Sequence, residues 1–206
     1  MTAAPARQDF PVPSHIALLY RGDAELRAAA FAFLRPALDR PNEALFCFGE
    51  PSAGEGLLRA LEKEVGRDFS SDFRAGRIAV GHANPDIDQQ LENVIVPLEA
   101  FRASGFSLVR FVGIVAWNVP SFPPPEDFLW FESKLTELLA GFPVIALCPY
   151  DVAGLPARAI AYGALETHPF VLSDGALREN PQFIPHERYL RERLLRLPWL
   201  EEETAT

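Results

Sequence analysis

The chain has 206 residues, of which 49% are hydrophobic and 23% charged, the balance of a globular protein with a substantial core. Its net charge of −9 disfavours binding to nucleic acid or to an anionic membrane, because both need a basic surface. No apolar run approaches the ~20 residues that cross a bilayer. Its two cysteines, Cys47 and Cys148, are expected to be reduced thiols in the core, as in a cytoplasmic protein.

Short apolar runs alternate with helical patterns along the chain. Strands are predicted at residues 15–20, 44–48, 77–80, 108–117, 144–148 and 170–172, the last followed by a turn at Asp174-Gly175. Helices are predicted at 26–37, 57–65, from 84 to 101 with Asn84 as a cap and Pro97 as a kink, and at 128–139, 158–166 and 187–197. This order predicts an α/β fold with a mostly parallel central sheet and helices on both faces.

The domain organisation predicted from the sequence is simple. Residues 14–200 are expected to form a single domain, preceded by a flexible segment at 1–13 and followed by an acidic tail at 201–206. In an open parallel sheet, ligands bind in the crevice beyond the carboxyl ends of the strands. The residues just after the apolar runs are therefore the first candidates for a site.

The segment after the second predicted strand has the glycine spacing of a phosphate-binding loop. It contains Gly49, Gly54, Glu55 and Gly56, to be compared with the pattern G-x-x-x-x-G-K-[ST]. Glu55 replaces the lysine that binds phosphates, and Gly56 replaces the hydroxyl that holds magnesium. Because a glutamate repels phosphate, we interpret the segment as a degenerate loop, or alternatively as an ordinary turn with glycines. We expect no nucleotide hydrolysis, no enzymatic activity and no cofactor.

Candidate ligand contacts lie near the ends of the apolar runs. Five of them follow or end predicted strands: Tyr20, Glu50, Trp117, Tyr150 and Asp151. His15 and His168 join them if their strands are neighbours in the sheet. No two histidines have the i, i+4 spacing of a zinc site and no cysteine pair accompanies them, so we predict no metal. Cys148 has no base beside it in sequence and is interpreted as a buried thiol rather than a nucleophile.

Taken together, these segments resemble the MEDS family, a sensory domain named for methanogens, methylotrophs and the dichloromethane-responsive repressor. The resemblance spans about residues 14–184 and is strongest at Leu147-Cys148-Pro-Tyr150-Asp151, Thr167-His168-Pro169 and Glu179-Asn180-Pro181. It is also carried by the segments at 15–20, 44–48, 110–113 and 131–132 and by Trp117. The resemblance implies a RecA-like three-layer fold, related to the circadian-clock ATPases but without a working phosphate loop. It also implies a sensor of small hydrocarbon derivatives.

The resemblance also implies a binding partner. In the family this is a histidine kinase, a transcription regulator or an anti-sigma-type protein, and we expect one of these, or a second copy of the chain, to bind this protein. One position departs from the family's pattern: after Arg110 the family commonly reads Gly-Glu-Met, where this chain has Gly113-Ile114-Val115. We expect a non-enzymatic sensory domain that binds a small apolar ligand at the strand ends and acts through a partner. The alternative is a protein-interaction or oligomerisation module with a vestigial nucleotide site and no small ligand.

Overall fold

A seven-stranded sheet runs through residues 10–193, the part of the chain that the computed structural model describes. Its strands are β1 (Ser14–Tyr20), β2 (Glu43–Gly49), β3 (Ile78–His82), β4 (Leu108–Gly113), β5 (Val144–Asp151), β6 (Phe170–Ser173) and β7 (Ala176–Glu179). They lie in the order β3-β2-β4-β5-β1-β6-β7, and all neighbours are parallel except the antiparallel pair of β6 and β7. The predicted fold class is confirmed.

Helices cover both faces of this sheet. They are α1 (Gly22–Leu38), α2 (Ala53–Val65), α3 (Ser70–Arg74), α4 (Ile87–Ala103), α5 (Pro125–Leu139), a π-helix (Ala159–Leu165) and α6 (His186–Glu192). Side chains alternate between the two faces of each strand. In β2, Leu45 and Cys47 join the core with α1 and α2, whereas Phe46 and Phe48 join the core with α4 and α5. A strand that is apolar throughout therefore serves two separate cores.

The structure corrects the end of the fourth strand. The predicted strand runs to Trp117, but β4 ends at Gly113. Its pairing with β5 stops at Val112 and its pairing with β2 stops at Gly113, so no neighbour continues the ladder beyond that point. The apolar residues that follow belong to a loop, and Trp117 lies in that loop rather than at a strand end.

The structure also corrects the cap of α4. Asn84 was predicted to cap this helix, but the cap is Asp86, whose Oδ1 accepts a 3.0 Å hydrogen bond from the Gln89 backbone N–H. Asn84 Oδ1 instead accepts from the Asp86 backbone N–H, which orders the turn before the helix. Pro85 thus precedes the cap and is not the first helical residue.

Two short elements are absent from the sequence-based prediction. Helix α3 has five residues, too few for a periodic pattern, and β7 is half polar. The predicted turn at Asp174-Gly175 is confirmed: both residues have positive φ, and the turn joins β6 to β7.

The helix predicted at 158–166 is confirmed as a helix, though of π type. The helix predicted at 187–197 is described from His186 to Glu192, and residues 194–197 lie outside the described part of the chain, as do residues 1–9 and the predicted acidic tail. Between residues 10 and 193, no helix combines the length and the apolarity that crossing a bilayer requires.

Candidate functional site

Four buried side chains from separate segments meet on the α5 side of the sheet; we call them the polar cluster. His15 comes from β1, Cys148 from β5, Glu132 from α5, and His168 from the link between the π-helix and β6. Each is at most 3% exposed. His15 is in register with Ala146, so His15 and Cys148 project from the same face of the sheet. The fold, and not local spacing, therefore brings these groups together.

The atoms that face one another in the polar cluster are a thiol, a carboxylate and two imidazole nitrogens. His15 Nε2 lies 3.3 Å from Cys148 Sγ and 3.6 Å from Glu132 Oε2. His168 Nε2 lies 3.3 Å from the same carboxylate oxygen. Within residues 10–193, Glu132 Oε2, His168 Nε2 and the Tyr150 hydroxyl are buried without a well-formed hydrogen bond. Leaving such groups unpaired in the interior is costly, so this convergence requires an explanation.

Neighbouring hydroxyl and carbonyl groups set the orientation of both imidazoles. The Thr136 hydroxyl donates to the Thr167 carbonyl at 2.9 Å, so it can only accept from His15 Nδ1, also at 2.9 Å. His168 Nδ1 lies 3.1 Å from the Gly163 carbonyl, which is purely an acceptor. Both Nδ1 atoms therefore carry the proton. Each histidine consequently presents the bare lone pair of Nε2 to the polar cluster.

Burial controls the ionisation of these four groups. It raises the pKa of Glu132 to about 8, an increase that the nearby Tyr150 hydroxyl reduces. Burial lowers the pKa of His168 to about 3, and burial together with the adjacent His168 lowers the pKa of His15. Burial and the neighbouring Glu132 raise the pKa of the Cys148 thiol. At neutral pH the cluster by itself is therefore uncharged, and its only donors toward the two Nε2 lone pairs are the thiol and the carboxylic acid.

A small apolar pocket adjoins the polar cluster at the carboxyl ends of β2, β4 and β5. Five phenylalanines line it together with Gly113, Ile114, Val115 and Leu135, and its polar lining residues are Gln90, Glu132 and Cys148. Its room is on the order of one water molecule. Glu132 and Cys148 thus belong both to the pocket and to the polar cluster. A molecule in the pocket would meet an apolar wall on most sides and these two polar groups at one end.

Three of the seven predicted ligand contacts lie at or beside the polar cluster. β1 and β6 are neighbours, which was the condition for His15 and His168 to act together, and their ring centres are 3.8 Å apart. Tyr150 is fully buried, and its ring packs edge-on against His168 at 5.5 Å between ring centres. None of the seven lines the apolar pocket. Their role as ligand contacts remains a prediction.

The other four predicted contacts lie apart from the polar cluster. Tyr20 and Asp151 are in register at the ends of β1 and β5; burial and then Asp151 raise the pKa of Tyr20 to about 12. Glu50 accepts a 2.7 Å hydrogen bond from Ser121 Oγ, in the proline-rich loop. Trp117 packs edge-on against Phe128 with 5.8 Å between ring centres. Trp117 therefore contributes to packing under this loop.

The degenerate phosphate loop forms a tight turn. Its start requires glycine, because a Cβ on Gly49 would lie 3.1 Å from Ile114. The backbone N–H of Ala53 donates to the Glu50 carbonyl at 2.9 Å, and the N–H of Gly56 donates within the first turn of α2. A phosphate cradle needs such N–H groups free. Glu55 is exposed and pairs with Arg59 one turn later, at 3.1 Å, while Gly54 packs closely on β2 and β3.

Sequence reasoning did not select Glu132 and Cys148 as site residues. The metal prediction relied on ligand spacing along the chain, whereas these groups come from elements far apart in sequence. One signal was available: Glu132 interrupts the buried stripe of α5, four residues after Phe128 and three before Leu135. A carboxylate in such a stripe must be paired or neutralised.

Comparison of the sequence with known protein families identifies a match. The model of the MEDS family, described as the methanogen/methylotroph, DcmR sensory domain, matches residues 14–169. The chain belongs to the MEDS family. This membership gives the MEDS chain a sensory role, as its resemblance to that family implied. No curated protein shows significant sequence similarity to it.

A solved structure with a similar fold is that of the KaiC-like protein PH0186 from the hyperthermophilic archaeon Pyrococcus horikoshii OT3. The two chains are 18% identical with a TM-score of 0.56, over 80% of this MEDS chain and 73% of the other. At this identity the likeness shows the fold alone, and it confirms the predicted RecA-like three-layer architecture.

Proposed function

We propose that this MEDS chain senses a small, mostly apolar molecule that binds in the pocket at the carboxyl ends of β2, β4 and β5. The observation that carries the proposal is the lining of that pocket: aromatic and aliphatic on most sides, with Glu132 and Cys148 at one end. Ligand sites are characteristically apolar cavities with a few polar groups that fix orientation. The position also agrees with the general location of ligands in open parallel sheets.

The departure from the family pattern after Arg110 contributes to this lining. Ile114 and Val115, where the family commonly has Glu and Met, both line the pocket. An aliphatic side chain in place of a carboxylate favours an uncharged ligand, because a charged one would lose its hydration without gaining a partner. The pocket has room for about one water molecule, so a larger ligand enters only if the surrounding loop moves.

We further propose that the chain acts without catalysis and passes its signal to a partner protein, such as a histidine kinase, a transcription regulator or an anti-sigma-type protein. The degenerate loop supports the absence of nucleotide hydrolysis, since Glu55 stands where a phosphate-binding lysine would be and the N–H groups of Ala53 and Gly56 already donate to carbonyls. The proline-rich loop is a suitable moving part. Phe122 of this loop lines the pocket, and Ser121 bonds to Glu50, so occupancy of the pocket would change the loop's contacts.

Native mass spectrometry of the freshly purified chain tests this function. We expect a co-purifying molecule of low mass, or a rise in Tm with one member of a panel of one- to three-carbon alcohols and halocarbons. The pocket variant is Gly113→Ala, whose new methyl group would project among Phe111 and Cys148. The matched control is Gly56→Ala, where an added Cβ meets nothing within 4 Å.

The two variants separate pocket binding from other binding. The proposal predicts that Gly113→Ala loses the bound molecule and the Tm rise, whereas Gly56→Ala keeps both. A bare chain that responds to no member of the panel, or a response that both variants retain, would contradict it. A bare dimer would favour the interaction-module alternative.

A further inference from the structure

We propose that His15, Glu132, Cys148 and His168 form a zinc site in the interior of this protein. The inference concerns the polar cluster itself and does not depend on the apolar pocket being a sensor site. It rests on the distances among the four ligand atoms, on the orientation of the two histidines and on the charge balance of the ligand set.

The distances fit a tetrahedral ion. Zinc bonds of 2.0–2.3 Å place neighbouring ligand atoms about 3.3–3.8 Å apart at tetrahedral angles. The separations of 3.3 Å from His15 Nε2 to Cys148 Sγ, 3.6 Å from His15 Nε2 to Glu132 Oε2 and 3.3 Å from His168 Nε2 to Glu132 Oε2 match these edges. All four ligand atoms lie within 4.8 Å of one another. Binding at tetrahedral angles would require the two imidazole rings, whose centres are 3.8 Å apart, to separate, and the remaining ligand atoms to draw closer.

The second layer of contacts already holds both imidazoles as metal ligands require. A zinc-bound histidine characteristically donates its other ring N–H to a protein acceptor, which fixes the tautomer and the ring orientation. Here His15 Nδ1 donates to Thr136, and His168 Nδ1 donates to the Gly163 carbonyl. Both Nε2 lone pairs consequently face the centre of the cluster, where His168 Nε2 and Glu132 Oε2 have no well-formed hydrogen bond to any described residue.

The charge balance favours a divalent ion. A thiolate and a carboxylate together neutralise one Zn²⁺, so the occupied site would carry no net charge in a fully buried position. The thiol and the carboxylic acid each release a proton to solvent when the ion binds. Two nitrogens and one sulfur exclude calcium and magnesium, which take oxygen ligands, and a ligand set of this type at tetrahedral spacing suits zinc.

The test uses the full chain without an added polyhistidine segment, stripped of metal with a chelator. We expect one Zn²⁺ per chain by native mass spectrometry and a higher Tm on adding zinc. Co²⁺ as a spectroscopic substitute should give the visible bands of a tetrahedral ion and a thiolate-to-cobalt charge-transfer band. That band reports directly on a bond to cysteine.

Cys148→Ala and Cys47→Ala form a matched pair, because both cysteines are free and buried and only Cys148 belongs to the cluster. Cys148→Ala should weaken zinc binding at least about 100-fold and abolish the charge-transfer band, in line with the losses that follow even indirect perturbation of zinc ligands. Cys47→Ala should retain both.

Three results would overturn the proposal. They are a chain that takes up no zinc, equal zinc affinity in the two cysteine variants, and a cobalt spectrum of the unaltered chain without the charge-transfer band. The last measurement decides the matter even if Cys148→Ala does not fold. A stable, metal-free cluster held by its own thiol and carboxylic acid protons would then be the correct description.

Discussion

Replacing Gly113 by alanine should stabilise the protein while it closes the pocket. A Cβ at this position would lie 3.4 Å from Phe111 Cζ and 3.5 Å from Cys148 Sγ, which is ordinary van der Waals contact. Gly113 lies in a buried strand, so the new methyl group removes apolar surface from water without a clash. Most mutations in a core are destabilising, which makes the predicted sign informative.

The magnitude follows from two contributions. A buried methyl group contributes about 0.8 kcal/mol, and alanine loses about 0.5–1 kcal/mol less chain entropy than glycine on folding. Together they should raise the free energy of unfolding by about 1.3–1.8 kcal/mol. For a chain of this length, each increase of about 1 kcal/mol raises Tm by roughly 2–4 °C.

Two other glycines calibrate the reasoning. At Gly81 a Cβ would lie 2.7 Å from Phe48 and 2.9 Å from Phe46, so Gly81→Ala should destabilise the fold by about 1–3 kcal/mol through overpacking. At Gly56 the space is open and the position is helical, so Gly56→Ala should stabilise the protein by about 1 kcal/mol through helix propensity alone. Urea unfolding of the three variants measures all three values.

The order of the series is the decisive result. If Gly113→Ala proved as destabilising as Gly81→Ala, the space between Phe111 and Cys148 would not exist as described. If the Gly113→Ala variant were more stable yet still bound the small molecule as tightly as the unaltered chain, the pocket would not be the binding site.

Further predictions concern the buried ion pair and the degenerate loop. Arg110 donates a 2.7 Å hydrogen bond to Glu43. Arg110→Met should lower the free energy of unfolding by about 3–5 kcal/mol, because it leaves a buried carboxylate with less compensation. Urea unfolding measures this change, and a decrease of less than about 1 kcal/mol would refute the prediction. Burial raises the pKa of Glu43, but hydrogen bonds from Arg40 and Arg110 outweigh it, so the pKa is lowered below the ordinary 4.5. The stability that this carboxylate contributes is therefore present above pH 4.5 and is lost as the pH falls through its lowered pKa. When Tm is measured against pH, Glu43→Gln should reduce the fall in Tm on the acid side. Calorimetry with ATP should give no binding heat, even for a variant combining Glu55→Lys with Gly56→Ser, since the backbone N–H groups of Ala53 and Gly56 already donate to carbonyls. A saturable signal in either protein would contradict this.

The sequence was sufficient for the fold because the signal for it is local. Apolar runs such as residues 44–48 and 144–148 alternate with helices, and short connections with this alternation allow few topologies. The strand that ends at Gly113 was predicted too long, because an apolar loop against the core has the same composition as a strand. Only the register of its neighbours shows where pairing stops.

The site was only partly predictable, because its members meet through the crossover order of the sheet. His15, Tyr150 and His168 were selected from their positions at apolar runs. In the sheet, β1 lies between β5 and β6, and this brings Cys148 and His168 to opposite sides of His15. The order of the strands is a property of the topology and cannot be read from spacing along the chain. Glu132 arrives from a helix on the face of the sheet, where the sequence showed only an acidic residue in an apolar stripe.

The burial of the polar cluster affects how fast ions and protons can exchange with it. Its four side chains are almost wholly shielded from solvent, so an ion or a proton reaches them only when the structure opens locally. Such openings span microseconds to seconds and are rarer where packing is dense. Exchange at the cluster would therefore be no faster than the rate at which the protein opens, whatever the concentration of the exchanging species. A signal that depended on binding at the polar cluster would average over brief changes in ion or proton concentration in the surrounding solvent. It would report only changes that last longer than the time between openings.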